Sequence, residues 1–136
     1  MGIFSRVESL SLLEKGLEAS SLRHQVISNN IANVETPGFK RGAVSFEDEL
    51  KKQLKNKRKL QPAITNPKHI SLSQSQSVQP QVIRVGNTFM RNDRNNVDID
   101  REMADLTKNT LTYQSMIEQL TRQIGMLRTA VNEGRR

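Results

Sequence analysis

The sequence predicts a mainly α-helical protein in which two long helices, one at each end of the chain, form an antiparallel coiled-coil hairpin. Both ends repeat apolar residues at alternating intervals of three and four, while the middle is polar and has room only for short β segments. With 4% aromatic residues and no Trp, the chain also lacks the side chains that anchor a large mixed core. We therefore divide the 136 residues into an N-terminal helix (1–35), an extended insertion (36–97) and a C-terminal helix (98–136).

The C-terminal helix has the most regular pattern and is predicted over residues 99–132. Asp98 or Asp100 can cap its first turn. Its apolar stripe, the C-terminal seam, is interrupted only by Thr110. The seam consists of Met103, Leu106, Thr110, Tyr113, Ile117, Leu120, Ile124, Leu127 and Val131.

The N-terminal helix, predicted over residues 5–34, has the same spacing. Thr36-Pro37-Gly38 ends it, because proline disfavours a helical residue before it and glycine admits a turn. Two polar residues, Ser20 and His24, interrupt the stripe. This N-terminal seam consists of Leu10, Leu13, Leu17, Ser20, His24, Ile27, Ile31 and Val34, and we expect the two seams to pack on each other.

Both helices also carry apolar residues away from their seams. A helix that is apolar on two sides usually has two neighbours. Since the chain has no third long helix, we expect other subunits to cover these residues. They are Leu12, Ala19 and Val26 in the first helix, and Ala104, Leu111, Met116 and Met126 in the second.

The net charge of +7 is concentrated in the middle of the chain. Residues 1–50 hold five basic and seven acidic groups, residues 51–97 ten and one, and residues 98–136 six and six. Six of the basic groups fall within residues 51–59. Such a run can bind phosphates or anionic lipid, but it lacks aromatic stacking residues, which favours a solvated charged segment.

The rest of the insertion predicts little regular structure. Residues 71–81 form a polar tract of Ser and Gln that cannot build a core. Short extended segments are predicted at 61–65, 68–72 and 78–86.

The sequence contains no recognisable catalytic or metal-binding constellation. It has no cysteine, which excludes thiol catalysis, thiolate metal sites and disulfides, and neither His24 nor His69 has a partner at a useful spacing. Four carboxylates open the C-terminal helix, where capping and the helix dipole explain them better than a cation does. They are Asp98, Asp100, Glu102 and Asp105. We expect a non-enzymatic protein that needs no cofactor or metal.

The first residues lack the basic region and apolar run of a cleavable secretory signal, and no stretch approaches 18 consecutive apolar residues. We expect no transmembrane segment, and export by another route if the protein leaves the cytoplasm.

Residues 28–40, SNNIANVETPGFK, resemble the N-N-I-A-N-x-x-T-P-G-[FY]-K signature of the bacterial flagellar rod, hook and axial proteins. Residues 65–70 and 95–103 resemble the small rod proteins of that family. The family commonly has Ala where Ser28 stands and Gly where Arg94 stands, so the turn at Arg94 departs from its pattern. The motif residues are Asn29, Asn30, Ile31, Ala32, Asn33, Thr36, Pro37, Gly38 and Phe39.

The resemblance implies a structural subunit of the flagellar basal-body rod, near its membrane-proximal end, that the type III apparatus exports without a cleaved signal peptide. In this family the paired terminal helices build the inner tube, so the two seams would carry subunit assembly. The implied partners are the rod proteins FlgC, FlgF and FlgG, the adapter FliE, the MS ring, the export gate and further copies of the chain.

Two further roles follow from the resemblance. Early export substrates carry a Phe-x-x-x-hydrophobic element that the export gate reads, and Phe46 to Leu50 is similar to it, although in a helix these two residues would simply pack on one face. We expect Asn29, Asn30 and Asn33 to stabilise the helix-to-turn transition and subunit packing.

Three alternatives stay open. Another small rod protein of the same family, similar to FlgC, is the nearest. A basic nucleic-acid-binding protein would use residues 51–59 and show salt-dependent affinity, although we expect nucleic acid not to be a partner. An enzyme would need a pocket with perturbed ionisable groups, for which the sequence offers no candidate.

Overall fold

A computed structural model describes residues 3–48, 50–51, 79–86 and 94–133. Its elements, in chain order, are helix α1 (Ile3–Ala32), strand β1 (Gly42–Ser45), strand β2 (Gln81–Arg84) and helix α2 (Ile99–Glu133). The predicted fold class is confirmed, with two long helices and a small sheet between them. Across these residues the structure contains no helix that combines the length and the apolar character needed to cross a bilayer.

The helix ends follow from local chemistry. Past Ala32 the chain of α1 tightens into turns, in which Val34 N–H donates to the Ile31 carbonyl at 3.2 Å. Gly38 adopts a φ of 72°, in the left-handed region that glycine occupies without steric cost. At the start of α2 the side chain of Asp98 accepts the N–H groups of Asp100 (3.0 Å) and Arg101 (3.3 Å), so Asp98 is the cap.

The two helices pair antiparallel in one fixed register. Ser9 Oγ donates to Gln123 Oε1 at 3.4 Å at the open end of the hairpin, and Asn30 Nδ2 donates to Glu102 Oε2 at 3.1 Å at the other end. Between them Gly16 lies against Met116, whose Sδ would be 2.9 Å from an added Cβ. Each advance of seven residues along α1 is thus matched by a return of seven along α2, as in an antiparallel coiled coil.

The contact row between the helices agrees with the predicted seams only in part, since of the predicted seam residues it includes Ser20. The buried residues that face each other are polar, namely Ser20, Asn30, Glu102 and Asn109. Ser20 Oγ donates to Asn109 Oδ1 at 2.8 Å and Asn109 Nδ2 donates back to the Ser20 carbonyl at 2.9 Å. These residues satisfy one another's hydrogen-bonding groups, and in the part of the chain that the structure describes no buried side-chain nitrogen or oxygen lacks a partner.

The expectation that the two seams pack on each other is therefore wrong for four seam residues of α2. Met103, Ile117, Ile124 and Val131 are exposed, by 50%, 39%, 47% and 72% of their surface. Met103, Ile117 and Ile124 each lie one position after a residue that contacts α1, and Val131 continues the same heptad row. One position turns the side chain by about 100° around the helix. That rotation carries this apolar row out of the hairpin interface.

Two of the three residues on the second apolar face of α1 pack against the chain itself, which corrects the expectation that another subunit covers them. Ala19 is buried against Phe46, with Leu50 packed on the same cluster. Val26 lies against β1, where its Cγ1 would be 3.0 Å from a Cβ added to Gly42, so a larger residue at position 42 would require Val26 to shift. Leu12 is 40% exposed, and its coverage by another subunit stays a prediction.

The off-seam residues of α2 divide in the same way. Met116 contacts Gly16 inside the hairpin, whereas Ala104, Leu111 and Met126 are exposed.

The two strands form an antiparallel pair with Gly42 opposite Arg84 and Ser45 opposite Gln81. Strand β2 lies within the predicted segment 78–86, which is confirmed. Strand β1 was not predicted, because four residues without alternating polarity carry no periodic signal. The predicted segments 61–65 and 68–72 lie outside the described residues.

Candidate functional site: a buried polar joint and an outward apolar face

One buried side chain, Asn30, joins three elements of the fold. Its Nδ2 donates to the Gly42 carbonyl and its Oδ1 accepts the Gly42 N–H, both at 2.9 Å. These backbone groups point away from β2, because the neighbouring ladder bond runs from Val85 N–H to the Arg41 carbonyl. The Asn30 carboxamide therefore forms the hydrogen bonds at the outer edge of β1 that an additional strand would form. Its bond to Glu102 connects the same site to α2.

Arg41 completes the connection between β1 and α2. Its Nε pairs with Glu102 Oε1, and its Nη2 bonds Asp105 Oδ2 at 2.9 Å. The side chain of Glu102 is wholly buried, and that of Arg41 is 18% exposed. A buried carboxylate is tolerated only when charge and hydrogen bonds compensate it, and Arg41 and Asn30 supply both.

The segment before α2 is held by two further asparagines. Asn95 Nδ2 lies within hydrogen-bond distance of the carbonyls of Asn33, Val34 and Thr36, at 2.9–3.1 Å. Asn95 therefore supplies a donor to carbonyl groups that follow the end of α1 and have no partner within the helix. Asn96 accepts the Arg41 N–H at 2.7 Å. We call the network of Asn30, Arg41, Asn95, Asn96, Glu102 and Asp105 the polar joint.

The turn that precedes Asn95 has a left-handed residue, Arg94, that is not glycine. Arg94 has a φ of 64°, the left-handed conformation that an arginine adopts at a cost of about 1 kcal/mol. Its carbonyl accepts Lys40 Nζ at 2.7 Å, so the turn also fixes the chain that follows the motif.

The motif residues divide into a buried and an exposed group. Asn30 is buried in the polar joint, and Asn33 shapes the turn by donating to the Asn29 carbonyl at 2.8 Å and accepting the Thr36 hydroxyl at 3.2 Å. Ile31 and Phe39 are half-buried, and the exposed members are Asn29, Ala32, Thr36, Pro37 and Gly38.

The carboxylates at the start of α2 have different roles from those expected. Capping is right for Asp98, but Glu102 and Asp105 bind Arg41, so dipole matching does not explain them. Sequence reasoning also missed Arg41, Asn95 and Asn96 as site residues. Among the residues that the structure describes, no group of three potential metal ligands comes together.

A second feature is an apolar surface along one side of the hairpin. In an antiparallel pair, the positions that directly follow the facing rows of the two helices lie on the same side of the interface. We call this surface the outward face. It consists of Leu10, Leu17, His24 and Ile31 on α1 and Met103, Thr110, Ile117, Ile124 and Val131 on α2.

The remaining seam residues lie between this face and the hairpin interface. Ile27 is buried, while Leu13, Val34, Leu106 and Leu120 are half-buried. Tyr113 and Leu127 are 38% and 36% exposed. The α2 part of the outward face runs from Met103 to Val131, about 42 Å at 1.5 Å per residue.

The export candidate lies in the folded core. Phe46 is 6% exposed against Ala19, and the Leu50 N–H donates to the Phe46 carbonyl at 2.9 Å. Next to it Glu47 bonds Arg23 at 2.6 Å. Partial burial raises the pKa of Glu47, but its backbone hydrogen bond, the Arg23 bond and the charges of Arg23 and Lys51 outweigh this and lower it. Of the basic run 51–59, only Lys51 lies within the described residues.

Comparison with known proteins finds a match to the family model described as flagella basal body rod protein over residues 10–40, most of α1 and the turn that follows. The chain is 31% identical over 135 residues to the flagellar basal body rod protein FlgB of Bacillus subtilis, which covers 99% of this chain and 100% of the relative. It is 39% identical over 113 residues to FlgB of Borreliella burgdorferi, covering 79% and 84%. FlgB of Borrelia hermsii is 37% identical over 118 residues, covering 83% and 86%.

Proposed function

The chain belongs to the family of flagella basal body rod proteins and is a structural subunit of the proximal rod in the flagellar basal body, and we propose that its outward face makes the contacts that build the rod. The observation that carries this proposal is the apolar row of α2, whose members Met103, Ile117, Ile124 and Val131 stay exposed in the folded chain. Contiguous apolar surface of this kind marks interaction sites.

The energetics favour a partner on this face. Burying an exposed Ile, Leu, Val or Met side chain fully is worth about 1.5–3 kcal/mol, so covering half of each of four residues gains several kcal/mol. Most of the fully buried side chains between the two helices are polar, namely Ser20, Asn30, Glu102 and Asn109, with Ile27 as the buried apolar residue beside them. Association therefore supplies stabilisation that the single chain lacks.

We assign the polar joint the task of fixing the angle and register of α1 against α2. A slip of one heptad would move Glu102 away from Asn30 and Arg41 and leave a buried charge uncompensated, which costs several kcal/mol. The joint thus keeps the two halves of the outward face in one plane. In this way the motif residue Asn30 acts on assembly from inside the hairpin, while the motif residue Ile31 lies on the outward face itself.

The chain assembles with other flagellar basal-body rod components. We propose FlgC, FlgF, FlgG, the adapter FliE, the MS ring and further copies of the chain as its neighbours, with segments 1–35 and 98–136 in the tube and segment 36–97 making lateral or ring-facing contacts. Its role is mechanical and not catalytic; the relatives are named as rod proteins, which supports this assignment.

Charged substitutions on the outward face test the proposal. Ile117→Asp or Ile124→Asp should leave the free subunit as helical as the wild type, because both positions are exposed, and should reduce basal bodies per cell at least tenfold by electron microscopy. The matched control is Gln119→Asp, an exposed residue on the opposite side of the hairpin. Normal basal-body numbers in Ile117→Asp cells would overturn the proposal.

We further propose that Phe46 and Leu50 serve export while the chain is unfolded and pack the core once it is folded. The burial of Phe46 in the folded chain supports this order. In cells whose rod assembly is blocked, Phe46→Ala should lower secretion of the subunit severalfold. Ala19→Leu disturbs the same packing but keeps Phe46 and Leu50, so it should leave secretion of the subunit unchanged. An equal loss of secretion in both variants would show that only packing in the folded chain is involved.

A further inference from the structure

Strand β1 is anchored to α1 at both of its ends. Its first residue, Gly42, is paired along the outer edge with the Asn30 carboxamide. Directly after its last residue, Phe46 is buried against Ala19. The position of β1 on the helix is therefore fixed.

Strand β2 is attached differently. All four of its side chains are exposed, Val82 by 51% and Ile83 by 49%, so they bury too little area to hold the strand against either helix. The antiparallel ladder ties β2 to β1 along one edge. A strand held along one edge can swing about that edge, so a second attachment is needed to fix its angle to the helices.

The side chain of Asn96 supplies this second attachment. Continuing the register beyond the strands places Arg41 opposite Val85, where an antiparallel ladder forms two hydrogen bonds. One of them is direct, since the Val85 N–H donates to the Arg41 carbonyl at 2.9 Å. The other is replaced by the Asn96 carboxamide, whose Oδ1 accepts the Arg41 N–H and whose Nδ2 donates to the Val85 carbonyl, both at 2.7 Å. The carboxamide is thus inserted between the two strands as one rung of the ladder.

Asn96 is itself held in a fixed place relative to α2. The segment 95–97 is buried, and its backbone is turned by a hydrogen bond from the Val97 N–H to Asn95 Oδ1 at 2.8 Å. Asp98, the cap of α2, follows directly. Asn96 therefore transmits the position of α2 to the sheet.

We infer that Asn96 is a positioning residue for assembly, which fixes the angle of the β1–β2 sheet to the helices and thereby the direction in which the insertion meets neighbouring subunits. The inference rests on the proposed function, in which the insertion makes lateral or ring-facing contacts while the outward face builds the tube. Both surfaces can engage in one assembly only if the sheet keeps one orientation relative to the outward face. A carboxamide suits this task, because it offers a donor to one strand and an acceptor to the other on a single planar group.

Amide hydrogen exchange of the free subunit tests the positioning role. In Asn96→Ala the Val85 N–H should exchange about tenfold faster than in the wild type, because the rung that holds the strands is lost. Asn96→Asp, which is ionised at neutral pH and keeps only the acceptor, should also accelerate Val85 about tenfold. The Glu102 N–H, which donates to the Asp98 carbonyl at 2.9 Å in the first turn of α2, should change less than about twofold.

The matched control is Asn29→Ala, an exposed asparagine of α1, which should leave both exchange rates unchanged. Equal acceleration at Val85 and Glu102 would show that Asn96 stabilises the whole fold, and unchanged exchange at Val85 would show that it does not hold the sheet. Either result would overturn the inference.

Basal bodies in cells provide the functional readout. Asn96→Ala and Asn96→Asp should leave the helicity of the free subunit unchanged and reduce basal bodies per cell about fivefold, because a loosely held surface binds less tightly than a preorganised one. Wild-type numbers in Asn96→Ala cells would overturn the inference. If Ile117→Asp stops assembly while Asn96→Ala does not, the positioning role alone fails; if Ile117→Asp assembles normally, the proposed function fails as well.

Discussion

Replacing Asn30 with alanine should be among the most damaging single substitutions in the chain, although it removes only one small side chain. The change deletes three hydrogen bonds, two with the Gly42 backbone and one with Glu102. It also leaves the Gly42 N–H and carbonyl without their partner and takes a donor from a fully buried carboxylate.

The magnitude follows from these losses. A buried polar group left without a partner costs about 1–3 kcal/mol, and a hydrogen bond to a charged group contributes about 1.5–3 kcal/mol. Because Arg41 still compensates Glu102, we expect a total loss of about 3–5 kcal/mol in the free energy of unfolding. Asn29→Ala, at the exposed neighbouring position, should cost less than about 0.5 kcal/mol.

Urea unfolding followed by circular dichroism at 222 nm measures both variants. If Asn30→Ala leaves too little folded protein for a full curve, its helical fraction in the absence of urea gives the same comparison. A loss below 1 kcal/mol, or equal losses for Asn29→Ala and Asn30→Ala, would refute the role assigned to the polar joint.

Two other predictions concern the backbone and the charges near α1. Arg94→Gly should raise the free energy of unfolding by about 0.5–1 kcal/mol, because glycine adopts the left-handed φ of 64° without strain. Gly38→Ala should lower the free energy of unfolding by about 1 kcal/mol, because alanine is strained at the φ of 72°. Urea titrations in which the two substitutions change the free energy of unfolding in the same direction would contradict this. The pKa of Glu47 is lowered, so its ion pair with Arg23 stabilises the fold above about pH 4.5 and the contribution disappears as the pH falls through the lowered value. Since the pair is exposed, the effect should stay below about 1 kcal/mol. An Arg23→Gln variant should lose the part of this pH dependence that comes from Arg23 and keep the part that comes from the backbone hydrogen bond of Glu47, as measured by thermal unfolding at pH 3 and pH 7.

The sequence was sufficient to predict the two helices, their antiparallel arrangement and the cap at Asp98, because heptad spacing and capping chemistry are local signals. It misassigned the surface that each helix buries. Apolar spacing identifies an apolar stripe but not the surface that it packs against. In α2 the polar residues Glu102 and Asn109, each one position before a predicted seam residue, pack inside the hairpin. Glu102 shows the difficulty, since a carboxylate in the first turn of a helix is normally exposed and favourable there.

The missed residues of the polar joint depend on contacts that are distant in the chain. Arg41 is 61 residues from Glu102, and Asn95 is 59 residues from Thr36. Nothing in the spacing of Asn95 and Asn96 distinguishes a pair that gathers buried carbonyls from an ordinary turn. The available signal was compositional, since two adjacent asparagines precede a capping aspartate in a segment similar to the small rod proteins.

Chemical protection of single cysteines tests the central claim most directly, because the native chain has none. In Ile124→Cys the thiol should react readily with a maleimide in the free subunit and become at least tenfold slower in isolated basal bodies, whereas Ala19→Cys should be slow in both. Equal reactivity of Ile124→Cys in the free subunit and in the basal body would contradict the assignment of the outward face to rod assembly.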